Sequence, residues 1–273
     1  MDMTPRPLAL SPSRAADFQQ CPLLYRLRAI DRIPEPSTIH QVKGTLVHAV
    51  LENMHGLSRA ERTYPTAVKM LKPQWEKMLI DDPELSELVP ETELMDFLVD
   101  CRGLLKGYFI MEDPTRFDAE AMEKFIGGVI GGDVPVRGFI DRVDVAPTGE
   151  IRIVDYKTGK KPHPRYQDSA LFQMRFYSLV WWRLTGNMPT QARLMYLKVY
   201  DDLVYTPTEA DLEQFEVQVR HLWRQIEASG KSGEFATKKG KLCGWCSFQE
   251  LCPEFGGTTP AYPGWPGAAN EHV

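Results

Sequence analysis

No apolar run in this chain reaches membrane-spanning length. No internal repeat stands out, and no Gly-x4-Gly-Lys-Ser/Thr loop is present to cradle a nucleotide triphosphate. These absences argue against a helical membrane protein, a solenoid and a self-contained motor. Met1 to Gln20 carries Asp2, Arg6, Arg14 and Asp17 and no continuous hydrophobic stretch, so no secretory leader and a cytoplasmic setting are expected. Cysteine is scarce, with five residues at Cys21, Cys101, Cys243, Cys246 and Cys252, and disulfides are not expected in that setting. The chain has 273 residues with ordinary charged and hydrophobic fractions, enough for one large domain or two small ones.

What the chain does contain is the run Ile153-Val154-Asp155-Tyr156-Lys157-Thr158-Gly159-Lys160. It reads as an apolar strand ending in an acid and a lysine two residues apart, which share one strand face. Upstream, Gly138-Phe139-Ile140-Asp141-Arg142-Val143-Asp144-Val145 reads as a second strand, separated from the first by a turn at Pro147-Thr148-Gly149. Pairing the two as a hairpin brings Asp141 beside Asp155. An Asp-x-Lys pair is ordinarily a solvated strand face. Here the acid follows Ile153-Val154, where a strand should be entering a core, and buried charge needs a partner or a metal. Converging carboxylates beside a lysine make a hard-oxygen site for Mg²⁺ or Mn²⁺, with an ammonium placed to orient water or stabilise charge. That is the chemistry of phosphodiester hydrolysis.

Hydrophobic periodicity predicts a short first helix capped by Ser11 or Ser13, then helices at about 41 to 57, 65 to 80 and 91 to 111. Strands are predicted at 118 to 130, 134 to 146 and 150 to 157, a helix at 167 to 185, a strand at 191 to 199 and a helix at 208 to 229. The fold class is therefore α/β, a three-stranded meander with a crossover helix and a further strand, packed by helices. Cys243, Cys246 and Cys252 fall within ten residues, and Cys21 lies far upstream. Three clustered thiols and one remote thiol suit a four-coordinate centre, either zinc or a [4Fe-4S] cluster, and spacing does not choose between them. Cys101 sits among apolar residues and reads as a packed thiol.

The net charge of -5 would discourage a polyanionic partner if it were spread evenly, but residues 81 to 123 carry thirteen acids against Arg102, Lys106 and Arg116, a local net of -10 that leaves +5 elsewhere. Basic residues gather at Arg26, Arg28 and Arg32, at Lys157, Lys160, Lys161 and Arg165, and at Lys231, Lys238, Lys239 and Lys241. Such clusters are usually solvated surface. Placed around the acid and cysteine motifs, they suit a phosphate track.

Five pieces in order carry a family resemblance: Leu10-Ser11-Pro12-Ser13-Arg14 with Cys21-Pro22, Gly44-Thr45-Leu46-Val47-His48, Gly138-Phe139-Ile140-Asp141, Asp155-Tyr156-Lys157-Thr158-Gly159, and Gln173-Met174-Arg175-Phe176-Tyr177. Together with the late cysteines they resemble the PD-(D/E)xK nuclease superfamily, most closely its RecB-type branch, from Leu10 to about Glu254. The resemblance implies a restriction-endonuclease-like core, a mixed central sheet flanked by helices, with an α-helical N-terminal section and a cysteine-stapled C-terminus. It divides the chain into one nuclease domain over 1 to 255, with a helical section at 1 to 117, a catalytic core at 118 to 230 and a cysteine segment at 231 to 255. Residues 256 to 273, rich in Gly and Pro, are expected to be a flexible tail.

Residue by residue, the resemblance implies that His48, Asp141, Asp155 and the carbonyl of Tyr156 hold the divalent ion and that Lys157 is the catalytic lysine. Gln173 and Tyr177 match the family's Gln-x-x-x-Tyr pair on one helix face. A lone histidine among Leu46, Val47, Val50 and Leu51 is ordinarily a packed core residue, and the resemblance reverses that expectation for His48. Glu123 and Glu120 are equal candidates for a further acid. Cys21 with Cys243, Cys246 and Cys252 matches the iron-sulfur members of the branch, which favours [4Fe-4S] over zinc. The function implied is a stand-alone exonuclease acting on single-stranded DNA or frayed ends in repair or recombination, with a helicase or other repair protein supplying any motor. A non-catalytic DNA-end binding module is the alternative, and RNA is not excluded as substrate.

Overall fold

The computed structural model describes residues 8–267, in which a five-stranded sheet separates two layers of helices. The strands are β1 (Ala121–Ile130), β2 (Val134–Val145), β3 (Ile151–Lys157), β4 (Gln191–Tyr196) and β5 (Asp201–Tyr205), in that spatial order. The β1–β2, β2–β3 and β4–β5 pairs are antiparallel and β3–β4 is parallel, so the sheet is mixed. The expected α/β class and meander are the architecture observed. β5 is an addition, since the predicted strand at 191 to 199 stops at Tyr196 and the chain turns back at Tyr200, whose φ is 57°.

The N-terminal helices are α1 (Pro12–Gln20), α2 (Pro22–Tyr25), α3 (Ile39–His55), α4 (Tyr64–Asp81), α5 (Leu85–Leu88) and α6 (Glu91–Met111), followed after β3 by α7 (Asp168–Thr185) and α8 (Glu209–Ser232). Side-chain caps fix several starts: Ser11 accepts from Arg14 N–H, and Thr38 forms a capping box with Gln41 that opens α3. On one sheet face α1, α7 and α8 bury Phe18, Phe176, Leu179, Phe215 and Trp223. On the other, α3, α4 and α6 bury Leu46, Val50, Trp75, Phe97 and Leu105 against Val154 and Tyr156. No helix among the described residues is long and apolar enough to cross a membrane.

The far end of the described chain is bound to the body where a flexible tail is expected. Tyr262 donates its hydroxyl to the Gly230 carbonyl at 2.7 Å, Arg26 reaches the Pro260 carbonyl at 2.5 Å, and the Leu8 N–H donates to the Gly267 carbonyl at 2.9 Å. Trp265 packs beside Trp223, and its ring lies so close to Gly230 that an added Cβ there would come within 2.0 Å of it. Residues 268 to 273 of the expected tail lie outside the described residues. Gly230→Ala should expel the indole and cost about 1–3 kcal/mol, measured as a lower denaturant midpoint together with faster proteolysis after residue 256. An unchanged midpoint would mean that the tail contributes nothing to the fold.

Candidate active site

Three acids come into line across β1, β2 and β3. The turn at Gly131, Gly132 and Asp133, whose glycines take φ of 57° and 81°, sets Ile130 opposite Val134. Continued along the hairpin, that register places Glu123 opposite Asp141. The next turn sets Val145 opposite Ile151 and Arg142 opposite Val154, so one step further Asp141 faces Asp155. The regular pairing is interrupted at this row. Glu123 adopts φ of 45°, left-handed for a residue with a side chain, a strain on the order of 1–3 kcal/mol. Beyond Val154, the Tyr156 N–H donates to the Asp141 carboxylate at 2.7 Å.

His48 approaches from α3. Its Nε2 lies 2.9 Å from the Tyr156 carbonyl, which can only accept, so Nε2 carries the proton. Nδ1 then turns towards Asp141 Oδ2, 3.5 Å away. Burial lowers the pKa of His48 despite the opposing charge of Asp155, which favours the neutral ring and leaves two lone pairs facing each other. Burial, then the charge of Asp155, holds Asp141 well above the usual carboxylate range. Burial raises Glu123 too, with Glu52 and Asp155 adding to the shift. One ligand atom each from His48, Glu123 and Asp141 lie within 4.8 Å of one another. Crowded acceptors of this kind fit a divalent cation, which would offset both the repulsion and the desolvation.

Of the expected ligands, His48 and Asp141 are therefore together, and Glu123 rather than Glu120 joins them. Asp155 is turned aside: its Oδ2 is 2.7 Å from Lys157 Nζ and its Oδ1 accepts from Gln173 Nε2 at 2.5 Å. The Tyr156 carbonyl is engaged by His48. Burial alone would lower the pKa of Lys157, but Asp155 and then Asp141 outweigh it, so the ammonium stays charged. Gln173 and Tyr177 project from α7 on one face. The Tyr177 ring rests against Gly138, where a Cβ would come within 2.7 Å of it. Lys157, Gln173, Tyr177, Ser13 and Tyr196 line one cleft of about 630 Å³. Tyr196 was not singled out by any motif; its place on β4 beside Lys157 follows only from the parallel register.

The cysteines occupy a second place. Cys21, Cys243, Cys246 and Cys252 line one cavity of about 180 Å³, floored by Leu23, Leu24 and Leu27. Their sulfurs do not form a group of three within 4.8 Å, so no compact single-ion tetrahedron with metal–sulfur bonds of about 2.3 Å is assembled. Cys101 is buried in α6, and desolvation pushes its thiol up to about 12.

A family model described as the PD-(D/E)XK nuclease superfamily matches residues 9–253. Among curated proteins no sequence matches. A crystal structure from Eubacterium rectale, provisionally named an exonuclease, superposes with a TM-score of 0.59 at 13% identity, covering 87% of this chain and 85% of that chain. A second, described as SSO0001, gives a TM-score of 0.37 at 14% identity over 78% of this chain and 97% of that chain, too low for the likeness to carry weight.

Proposed function

Because the chain belongs to the PD-(D/E)XK nuclease superfamily, whose members are metal-dependent phosphodiester hydrolases, we propose that it is a deoxyribonuclease of the RecB type that digests single-stranded DNA or frayed ends in repair or recombination. The provisional name of the Eubacterium rectale relative supports an exonuclease. The observation that carries the reading is the row of Glu123, Asp141 and Asp155, met by His48 from one helical layer and backed by Lys157. His48, Glu123 and Asp141 would hold Mg²⁺ or Mn²⁺, with Asp155 and the Tyr156 carbonyl as further ligands. The bound cation would polarise the phosphate and lower the pKa of an attacking water.

The chain's own residues set the rest. Lys157, kept protonated by Asp155, places a positive charge where negative charge grows on the phosphate. Gln173 holds Asp155 through its Oδ1, and Tyr177 completes the wall of the cleft. Residues 1 to 255 act as one nuclease domain. An exonuclease works from a free DNA end, which a closed circle lacks. The test is digestion of end-labelled linear single-stranded DNA against a closed single-stranded circle of the same sequence. Much faster, chelator-sensitive loss of the linear form is expected. Equal rates would indicate an endonuclease, and loss unaffected by chelator would end the metal mechanism.

The four cysteines around one cavity support a [4Fe-4S] cluster, with a structural role in joining the first helices to the C-terminal segment. Anaerobically purified protein should be brown and contain about four iron and four sulfide per chain. Cys246→Ser should bleach it and lower stability more than Cys101→Ser does. Zinc without iron would assign the other metal.

A further inference from the structure

Phe125 and Phe139 are directly opposed across the β1–β2 hairpin, with ring centroids 5.3 Å apart and planes at 59°. Both are open to solvent, at 45% and 51% exposure, although each carries one of the largest apolar surfaces in the hairpin. Each also stands two residues from an acid of the site, Phe125 from Glu123 and Phe139 from Asp141, and in the same direction along the paired strands. Two residues of strand span about 6.6–6.8 Å, comparable with the phosphate spacing of an extended single strand. The next cross-strand pair is Gly127 with Arg137. Gly127 leaves the space that the Phe125 ring covers, since a Cβ there would lie 2.8 Å from the ring tip. Arg137 is exposed and has no ion-pair partner among the described residues. Acids, aromatic faces and a cation thus follow one another along a single ribbon.

We propose that Phe125 and Phe139 form a stacking platform for the unpaired nucleobase beside the scissile phosphate, with Arg137 meeting the next phosphate outward. Base on aromatic stacking is tolerant of sequence because every base has a π-face. It requires an unpaired base, since the faces of a duplex are already covered. The platform therefore gives the cleft a preference for single strands without reading their sequence. This rests on the nuclease reading above, and it adds the group that such a substrate would touch.

The test uses a fluorescently labelled oligodeoxythymidylate and a series of the same strand with one abasic residue moved along it, with binding read in chelator and cleavage in Mg²⁺. Phe125→Leu with Phe139→Leu keeps apolar bulk but removes the flat faces, and should weaken binding of the intact strand about tenfold or more. In the wild type, one abasic position should cause a similar loss. In the double variant that position should make no difference, and Phe139→Trp should retain the wild-type sensitivity. Losses that add in full, or no sensitive abasic position, would overturn the platform and leave the patch to some other partner. Base-sensitive binding without any cleavage would support the platform while refuting the nuclease. Cleavage with unaltered abasic sensitivity in the leucine variant would do the reverse.

Discussion

Lys157→Ala is expected to slow cleavage by about 10²–10³-fold while leaving DNA binding nearly unchanged, because its charge acts on the transition state more than on the bound substrate. Asp155→Ala should be the more damaging change. It removes a candidate metal ligand and also frees Lys157, whose Nζ is held 2.7 Å from Asp155, and Gln173, which donates to the other oxygen. Titration with Mn²⁺ separates the two. Metal affinity should survive Lys157→Ala and fall steeply in Asp155→Ala. Full activity in either variant would remove these residues from the mechanism.

The largest stability loss is expected at Glu112. This carboxylate ends α6 and is almost fully buried, and arginines from three successive strands reach it: Arg142 at 2.8 Å, Arg152 at 3.5 Å and Arg193 at 2.7 Å. Arg142 is wholly buried and also donates to the Tyr156 hydroxyl at 2.8 Å. Glu112→Ala would leave that guanidinium with Asp144 as its remaining acid, and breaking a buried pair from one side costs about 3–5 kcal/mol. A shift of the urea midpoint with unchanged slope would measure it. A shift no larger than that of exposed Asp133→Ala would mean the network contributes little. Burial alone would raise Glu112, but Arg142 and then the other arginines outweigh it and hold its pKa below the ordinary 4.5. Its stabilisation is thus present above that value and lost as pH falls through the lower folded pKa. His55 adds acid sensitivity from a higher pH, since burial depresses it from 6.5 to about 3. It must stay neutral in the fold, and stability falls as pH drops across that interval.

The helices, the meander and the pairing of Asp141 with Asp155 were legible because their periodicities and turns lie within short windows of sequence. The choice of Glu123 over Glu120 was legible in principle, since the three-residue turn after Ile130 fixes the count that puts 123 opposite 141 and 120 opposite 144. Spacing from the motif alone does not make that count. β5 was hidden because Asp201-Asp202-Leu203-Val204-Tyr205 opens with two acids. They are accommodated by Lys161, which is distant in sequence, and by Arg193 on the neighbouring strand. The docking of residues 256 to 267 was equally hidden. A Gly- and Pro-rich segment has no period, and what binds it is one indole, one phenol and a few carbonyls spaced irregularly along it.

The bridge of Leu10 to Val136, the bond from Leu23 N–H to the Ala236 carbonyl and that from Leu8 N–H to Gly267 all join the first described residues to segments made much later. On the ribosome, Leu8, Leu10, Leu23, Leu24 and Leu27 emerge well before their partners, since Phe248 completes the small cluster around the last three. This segment is thus made long before the residues that cover it. Until those residues are made it is an apolar segment and two helices without a lid, open to chaperones and to self-association.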